Sequence, residues 1–165
     1  MGLDIFRMLA RFNGWANDHI YDCCARLSDT DYRMDRKAFF GSIHATLNHL
    51  LVVDKLWRAR VEGGTTGIKG LDEILHDDFA PLRAARGVED AALIRAVDAI
   101  DAANISKPLA YTFVDGTPAE TPLDVVLITL FNHQTHHRGQ IHVMLTQAGI
   151  TPPPLDIINF PGARR

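Results

Sequence analysis

Apolar residues recur at spacings of three and four positions along four long stretches of the chain, which is the repeat of an amphipathic helix. These stretches cover residues 3–27, 42–61, 89–103 and 122–148. The second stretch is apolar on nearly every side, so we expect it to have neighbours on several sides. Four such stretches with almost no strand pattern predict an all-α fold, a four-helix bundle that forms one domain over residues 1–165.

Polar residues, glycines and prolines mark where these helices should begin and end. Ser28 interrupts the first apolar repeat, and a loop rich in glycine and threonine at 63–67 closes the second helix. Pro122 is well placed as the first residue of the last helix, because its missing N–H is not needed there. Gly149, followed by three prolines at 152–154, should end that helix.

Two segments carry a weaker pattern. Residues 71–86 contain a short apolar run broken by Pro81, which predicts one or two helical turns and a connector before the third helix. Residues 108–117 alternate weakly and end in Asp-Gly-Thr, which predicts an extended arm or half of a hairpin.

Composition and charge exclude several classes of function. The 165 residues are 47% hydrophobic and 22% charged, the balance of an ordinary globular protein. A net charge of −3 offers no basic field for binding nucleic acid. No run approaches the roughly 20 apolar residues that cross a bilayer, and the N-terminal stretch has Asp4, Arg7 and Arg11 within it, unlike a secretory signal. We therefore expect a cytoplasmic protein that binds neither nucleic acid nor membrane.

The two cysteines are adjacent, at positions 23 and 24. That spacing suits neither a disulfide framework nor a CxxC redox or zinc motif. We interpret Cys23 and Cys24 as two small helical residues in a reducing compartment.

Two histidines of the last helix point to a metal site. His133 and His137 continue its apolar line, which runs through Leu130 before them and Ile141 after them. Residues four apart lie about 40° from each other around a helix and one turn apart along it. Two imidazoles in this register can converge on one ion at about 2.0–2.1 Å.

A third ligand should come from a facing helix, and His49 interrupts an apolar line of the second helix. His44 lies about 140° away around that helix. The remaining histidines, His19, His76, His136 and His142, have polar or exposed neighbours and are interpreted as non-ligands. A single buried histidine is more often an ordinary hydrogen-bonded core residue than a ligand; two histidines in register weaken that alternative.

Three histidine nitrogens would leave coordination positions open to water or substrate, as in catalytic metal sites. Zn, Ni, Fe and Mn ions are all compatible with imidazole ligands, so the sequence predicts a divalent metal ion without identifying it. Because imidazole must be neutral to coordinate, the ordinary histidine pKa predicts metal loss below about pH 6. Retention at about pH 4.5 would then argue for other ligands.

The chain resembles the DinB family. The segments FFGSIHATLNHLLVVDKLWRARV and LFNHQTHHRGQIHVMLTQAGITPPPLD carry the similarity, which extends from ARFNGWANDHI to PPPLDIINF and so covers nearly the whole chain. The resemblance implies a four-helix bundle of the DinB/YfiT-like type, usually dimeric, with a metal held by one histidine of the second helix and an HxxxH pair of the fourth. The matching positions are His49, His133 and His137.

Three kinds of function fit these residues. The first is a metal-dependent enzyme, of the hydrolase type or of the thiol-dependent transferase type that shares this fold, acting on a small-molecule or thiol substrate. Four polar side chains are candidates to support the ligands indirectly, although each is better explained as an exposed helix cap or a solvated polar residue: Asp54, Asn132, Gln134 and Gln140. The alternatives are a non-catalytic metal-binding stress-response module and a metal-free interaction protein that forms a homodimer.

Overall fold

The computed structural model describes residues 2–163, and the chain in that range is mostly helical with one small two-stranded sheet. The helices are α1 (Leu3–Cys24), α2 (Asp29–Arg33), α3 (Ile43–Val61), α4 (Phe79–Asp98) and α5 (Leu123–Gln147). The strands are β1 (Pro108–Thr112) and β2 (Pro118–Pro122), and short 3-10 turns lie at Ala102–Asn104, Ile157–Asn159 and Pro161–Ala163. Among the described residues, no helix is both long enough and apolar enough to cross a membrane.

The four long helices pack side by side around a common core. Helix α1 packs against α4 and α5, and α3 packs against the same two helices, so α1 and α3 occupy opposite corners. The predicted helices therefore exist, but the description of the fold as all-α was incomplete, because it omitted the sheet and the short helix α2. Ser28 begins α2 by accepting a hydrogen bond from the N–H of Asp31.

The sheet is an antiparallel hairpin in which Ala110 pairs with Glu120. Residues 108–117 are thus half of a hairpin, one of the two predicted alternatives. The other half was missed because proline and glutamate are poor strand formers. Pro122, predicted as the first helical residue, is the last residue of β2, and α5 begins at Leu123.

Helix α4 differs most from the prediction. It begins at Phe79, ten residues before the predicted start at position 89, and ends at Asp98 instead of 103. Pro81 lies in its first turn, where a helix needs no N–H from the backbone, and Gly87 lies inside the helix. Pro81 had been interpreted as a break in the helical pattern.

Other helix ends agree with their sequence signals. The Ser42 side chain accepts a hydrogen bond from the N–H of Ala45 at the start of α3. Gly149 adopts a positive φ of 78° just after α5, a conformation in which a side chain would be strained. Cys23 and Cys24 are buried, unbridged residues of α1, as predicted.

The core has two apolar clusters with a buried polar layer between them. One cluster lies around Leu47 and Leu145, and the other lies around Phe6 and Leu127. Each long helix contributes to the layer between them, whose members are Asn13, Asn17, Asp54, Arg86, Asp90, Gln134 and Arg138. Arg86 forms ion pairs with Asp54 at 2.8 Å and with Asp90 at 2.9 Å. This layer ties the four helices together at mid-height.

Candidate metal centre

The three predicted histidines come together where α3 packs against α5. One ring nitrogen from each of His49, His133 and His137 lies within 4.8 Å of the other two. His49 and His137 are buried and His133 is half-buried. The juxtaposition follows from the local pattern, because His133 and His137 share the inward face of α5 and His49 replaces an apolar residue on the facing side of α3.

Hydrogen bonds orient two of the three rings. His49 donates from Nδ1 to the carbonyl oxygen of Leu71 at 2.7 Å, and His137 donates from Nδ1 to Oε1 of Gln140 at 2.8 Å. With Nδ1 protonated in each neutral ring, Nε2 is left as the atom with a free lone pair. A metal ligand bound through Nε2 needs this tautomer.

The distances between nitrogens suit a shared ion. Nε2 of His49 lies 3.0 Å from Nε2 of His133, close to the roughly 3.4 Å expected for two nitrogens bound tetrahedrally to one zinc ion. Nδ1 of His133 is buried and has no hydrogen-bond partner among residues 2–163. The donor set of three imidazoles is one that zinc and related divalent ions accept. The residues present therefore fit the metal that the sequence predicts.

The surroundings keep all three rings neutral at physiological pH. Burial lowers the pKa of His133 to about 3, and the nearby His137 and His49 act in the same direction. Burial also lowers the pKa of His49, against the opposing effect of its bond to Leu71, and lowers that of His137, against the opposing effect of Gln140. Neutral imidazole is the form that binds a cation.

Two cavities, each of about 540 Å³, open onto this cluster. His49, Leu71 and His133 line both of them. Phe40 lines one cavity and stacks on the His49 ring, with the ring centroids 3.9 Å apart. The histidines thus lie at the base of accessible space and not in a sealed core.

The other five histidines stay outside the cluster. His44 is buried beside Tyr32, and its Nε2 lies 3.7 Å from Asp77. His19 packs against Trp15, and the backbone of His76 bonds to Asn48. The remaining two histidines, His136 and His142, are exposed and half-buried respectively. None of the five joins the set of potential ligands among the described residues.

Among the described residues, one of the four proposed supporting side chains hydrogen-bonds to a histidine of the cluster. That residue is Gln140, through its bond to His137. Asn132 is exposed, as its alternative interpretation predicted. Asp54 and Gln134 match neither interpretation, because both are fully buried and hydrogen-bond to each other in the polar layer.

Several residues around the cluster carried no signal in the sequence. The Leu71 carbonyl and the Phe40 ring reach His49 from loops whose course depends on the tertiary fold. Arg138, next to His137 in α5, is buried and bonds to Asn13, Asn17 and Gln134. A periodic pattern cannot distinguish a solvated arginine from one that is satisfied by neighbouring helices.

Comparison with known proteins gives consistent results. The model of the DinB family matches residues 2–164. The chain is 28% identical over 153 residues to Protein DinB of Bacillus subtilis, and the aligned region covers 90% of this chain and 88% of that protein. It also resembles the crystal structure of a DinB-like protein from Bacillus cereus, with a TM-score of 0.64 and 20% identity, covering 84% of this chain and 89% of the other. The last similarity shows that the fold is shared.

Proposed function

This chain belongs to the DinB family, and we propose that it is a metal-dependent enzyme whose divalent ion is held by His49, His133 and His137. The observation that carries the proposal is the convergence of three neutral imidazoles at the base of two cavities. The reaction is hydrolysis or thiol transfer to an electrophile.

A divalent ion bound here would lower the pKa of a bound water or substrate thiol and would polarise an electrophilic group. The protein's part is to prepare the ligands. Leu71 and Gln140 hold the rings of His49 and His137 with Nε2 directed inward, and burial keeps these rings unprotonated. Phe40 covers one side of His49 and so limits access of water to that ring.

Accessible space beside the histidines favours catalysis over a purely structural ion. A structural zinc site normally has four protein ligands and is closed. Among the described residues, this cluster offers three, and two cavities of about 540 Å³ reach them. That volume lies within the usual range for small-molecule sites. A non-catalytic metal-binding module is the competing proposal, and it requires that no substrate enters.

Metal analysis and two assays test the proposal. Protein purified without a histidine tag should contain about one transition-metal ion per chain by elemental analysis, and His49→Ala should contain far less. The metal-loaded protein should then accelerate p-nitrophenyl butyrate hydrolysis or the reaction of cysteine with monochlorobimane, in which the thiolate sulfur displaces chloride. Absence of metal refutes the site, whereas bound metal without activity towards a broad panel of esters and electrophiles favours the module.

A homodimer is part of the same proposal, and exposed apolar side chains on α5 support it. Val125, Ile128 and Val143 are each more than two-fifths exposed and lie on one side of that helix. Light scattering should give twice the 18.3 kDa mass of one chain. Ile128→Glu should reduce the mass to that of the monomer if this face forms the contact.

A further inference from the structure

One of the two cavities extends along α3, away from the histidines. Its floor is a single face of that helix, formed by His49, Val53, Leu56, Trp57 and Arg60. These residues follow the spacing of one helical face. The cavity therefore has a histidine end and an arginine end, joined by apolar side chains.

The opposite wall is also apolar, and it comes from two separate segments. Leu71 reaches the cavity from the loop between α3 and α4, and Phe113 and Val114 reach it from the turn of the hairpin. The hairpin is held against α3 by Arg60, whose Nη2 donates to the carbonyl of Thr112 at 2.8 Å. A ligand in this cavity would lie between α3 and the hairpin turn.

Among the residues that the structure describes, Arg60 has no carboxylate partner. No Asp or Glu of the described residues lies within ion-pair distance of it. Its guanidinium carbon lies 4.7 Å from the ring centroid of Trp57 and 5.2 Å from that of Tyr111. Partial burial lowers the pKa of Arg60, against the opposing effect of Tyr111. Its remaining N–H groups are available to an anion.

The charged side chains that line the cavity, Arg60, Lys69 and Asp115, sum to one net positive charge. Lys69 lines the cavity and is exposed. Asp115 also lines it, but its carboxylate accepts a hydrogen bond from the N–H of Thr117 at 2.9 Å within the hairpin turn. Two cations and one anion favour a singly charged ligand group over a doubly charged phosphate.

We propose that this cavity binds an amphipathic small molecule whose carboxylate pairs with Arg60 and whose other end reaches His49 and His133 of the histidine cluster. The guanidinium lies beside Trp57, eight residues beyond His49, which is about 12 Å along the helix. The ligand therefore has an apolar body of about eight carbons, since an extended chain of that length, together with the contact distances at its two ends, fills this separation. The assignment of the reactive end rests on the proposed function; the carboxylate site does not.

The carboxylate site is tested on protein stripped of metal with EDTA, so that no ion competes for the anion. Trp15→Phe leaves Trp57 as the only tryptophan, and its fluorescence then reports occupation of this cavity. The probes are octanoate, octanamide and octyl phosphate. Octanoate should bind at least about tenfold more tightly than octanamide, the usual effect of one charge-assisted hydrogen bond.

Two variants in the same background locate the charge. Arg60→Gln should bind octanoate and octanamide with equal affinity. Arg26→Gln is the matched control, because Arg26 is exposed and lies outside the cavity; it should retain the preference for octanoate. Raising NaCl from 0.05 M to 1 M should also shrink the octanoate preference of the unsubstituted cavity, a measurement that does not depend on the folding of a variant.

Three results would overturn the assignment: no fluorescence change with any probe, equal affinities for octanoate and octanamide at low salt, or a preference that survives Arg60→Gln. Tighter binding of octyl phosphate than of octanoate would reject the carboxylate as the ligand group. Failure of the proposed metal site is recognised separately, by elemental analysis, because these titrations contain no metal.

Discussion

Replacement of Gln140 by alanine should weaken metal binding without removing a ligand. Gln140 accepts a hydrogen bond of 2.8 Å from Nδ1 of His137, and its Nε2 lies 3.2 Å from Nε2 of His136. It thereby fixes both the ring orientation and the tautomer of His137. Loss of such a partner typically costs 10–100-fold in metal affinity, which corresponds to about 1.4–2.7 kcal/mol.

The assay is a competition for Zn²⁺ between the metal-free protein and a chromophoric chelator at pH 7.5. Gln147→Ala is the control, because Gln147 is an exposed glutamine in the last turn of the same helix. Gln140→Glu should keep the affinity within about threefold of the original, since a carboxylate accepts the same hydrogen bond more strongly.

An unchanged affinity in Gln140→Ala would refute the argument that this bond prepares His137 for the metal. An equal loss in Gln147→Ala would show that the effect comes from α5 as a whole. A loss in Gln140→Ala that Gln140→Glu does not restore would also contradict a role as hydrogen-bond acceptor.

Three further predictions concern stability and pH. Arg86→Met should destabilise the fold by about 3–5 kcal/mol in urea titrations, because it leaves the buried carboxylates of Asp54 and Asp90 unpaired. The control, Arg83→Gln on the exposed side of α4, should cost less than about 1 kcal/mol. Equal losses in the two variants would contradict the role of the buried polar layer. Saturating Zn²⁺ at about 1,000 times its Kd should stabilise the protein by about 4 kcal/mol. His49→Ala should lose most of this added stability. Added stability that persists in the variant would place the ion elsewhere. The metal-free protein should lose stability as pH falls below about 6.5. The three site histidines have lowered pKa values in the folded protein, so the unfolded chain binds protons more readily. A free energy of unfolding that is constant from pH 7.5 to 5.5 would contradict this.

The structure also changes the pH at which the metal should leave. The ordinary histidine pKa predicted loss below about pH 6, and retention at about pH 4.5 was to argue for other ligands. Because the pKa of His133 is lowered to about 3 and those of His49 and His137 are also lowered, protons compete less well than that estimate assumed. Release should begin at a lower pH, and retention near pH 4.5 is compatible with histidine ligands.

The histidine cluster was predictable from the sequence because its signal is local. His133 and His137 are one turn apart in an otherwise apolar line, and His49 interrupts another such line, so the only non-local assumption was that the two helices face each other. The resemblance to a known family pointed to the same positions. The contacts of Leu71 and Phe40 depend on the course of loops, for which periodicity gives no information.

The errors have identifiable physical causes. Pro81 was interpreted as a break, but a proline in the first turn of a helix costs no hydrogen bond. Asp54 and Gln134 were considered in relation to the metal or to solvent, whereas the structure pairs them inside the core. Buried polar layers are satisfied by partners on other helices, so their existence becomes visible only once the helices are packed.

The most direct measurement of the central claim is a crystal structure of the untagged protein with its metal identified by X-ray fluorescence and located by anomalous scattering. The account predicts one anomalous peak per chain, about 2.0–2.2 Å from a nitrogen of each of His49, His133 and His137. A peak bound by other residues, or a metal-free crystal in which His49 lies far from the paired rings of α5, would contradict it.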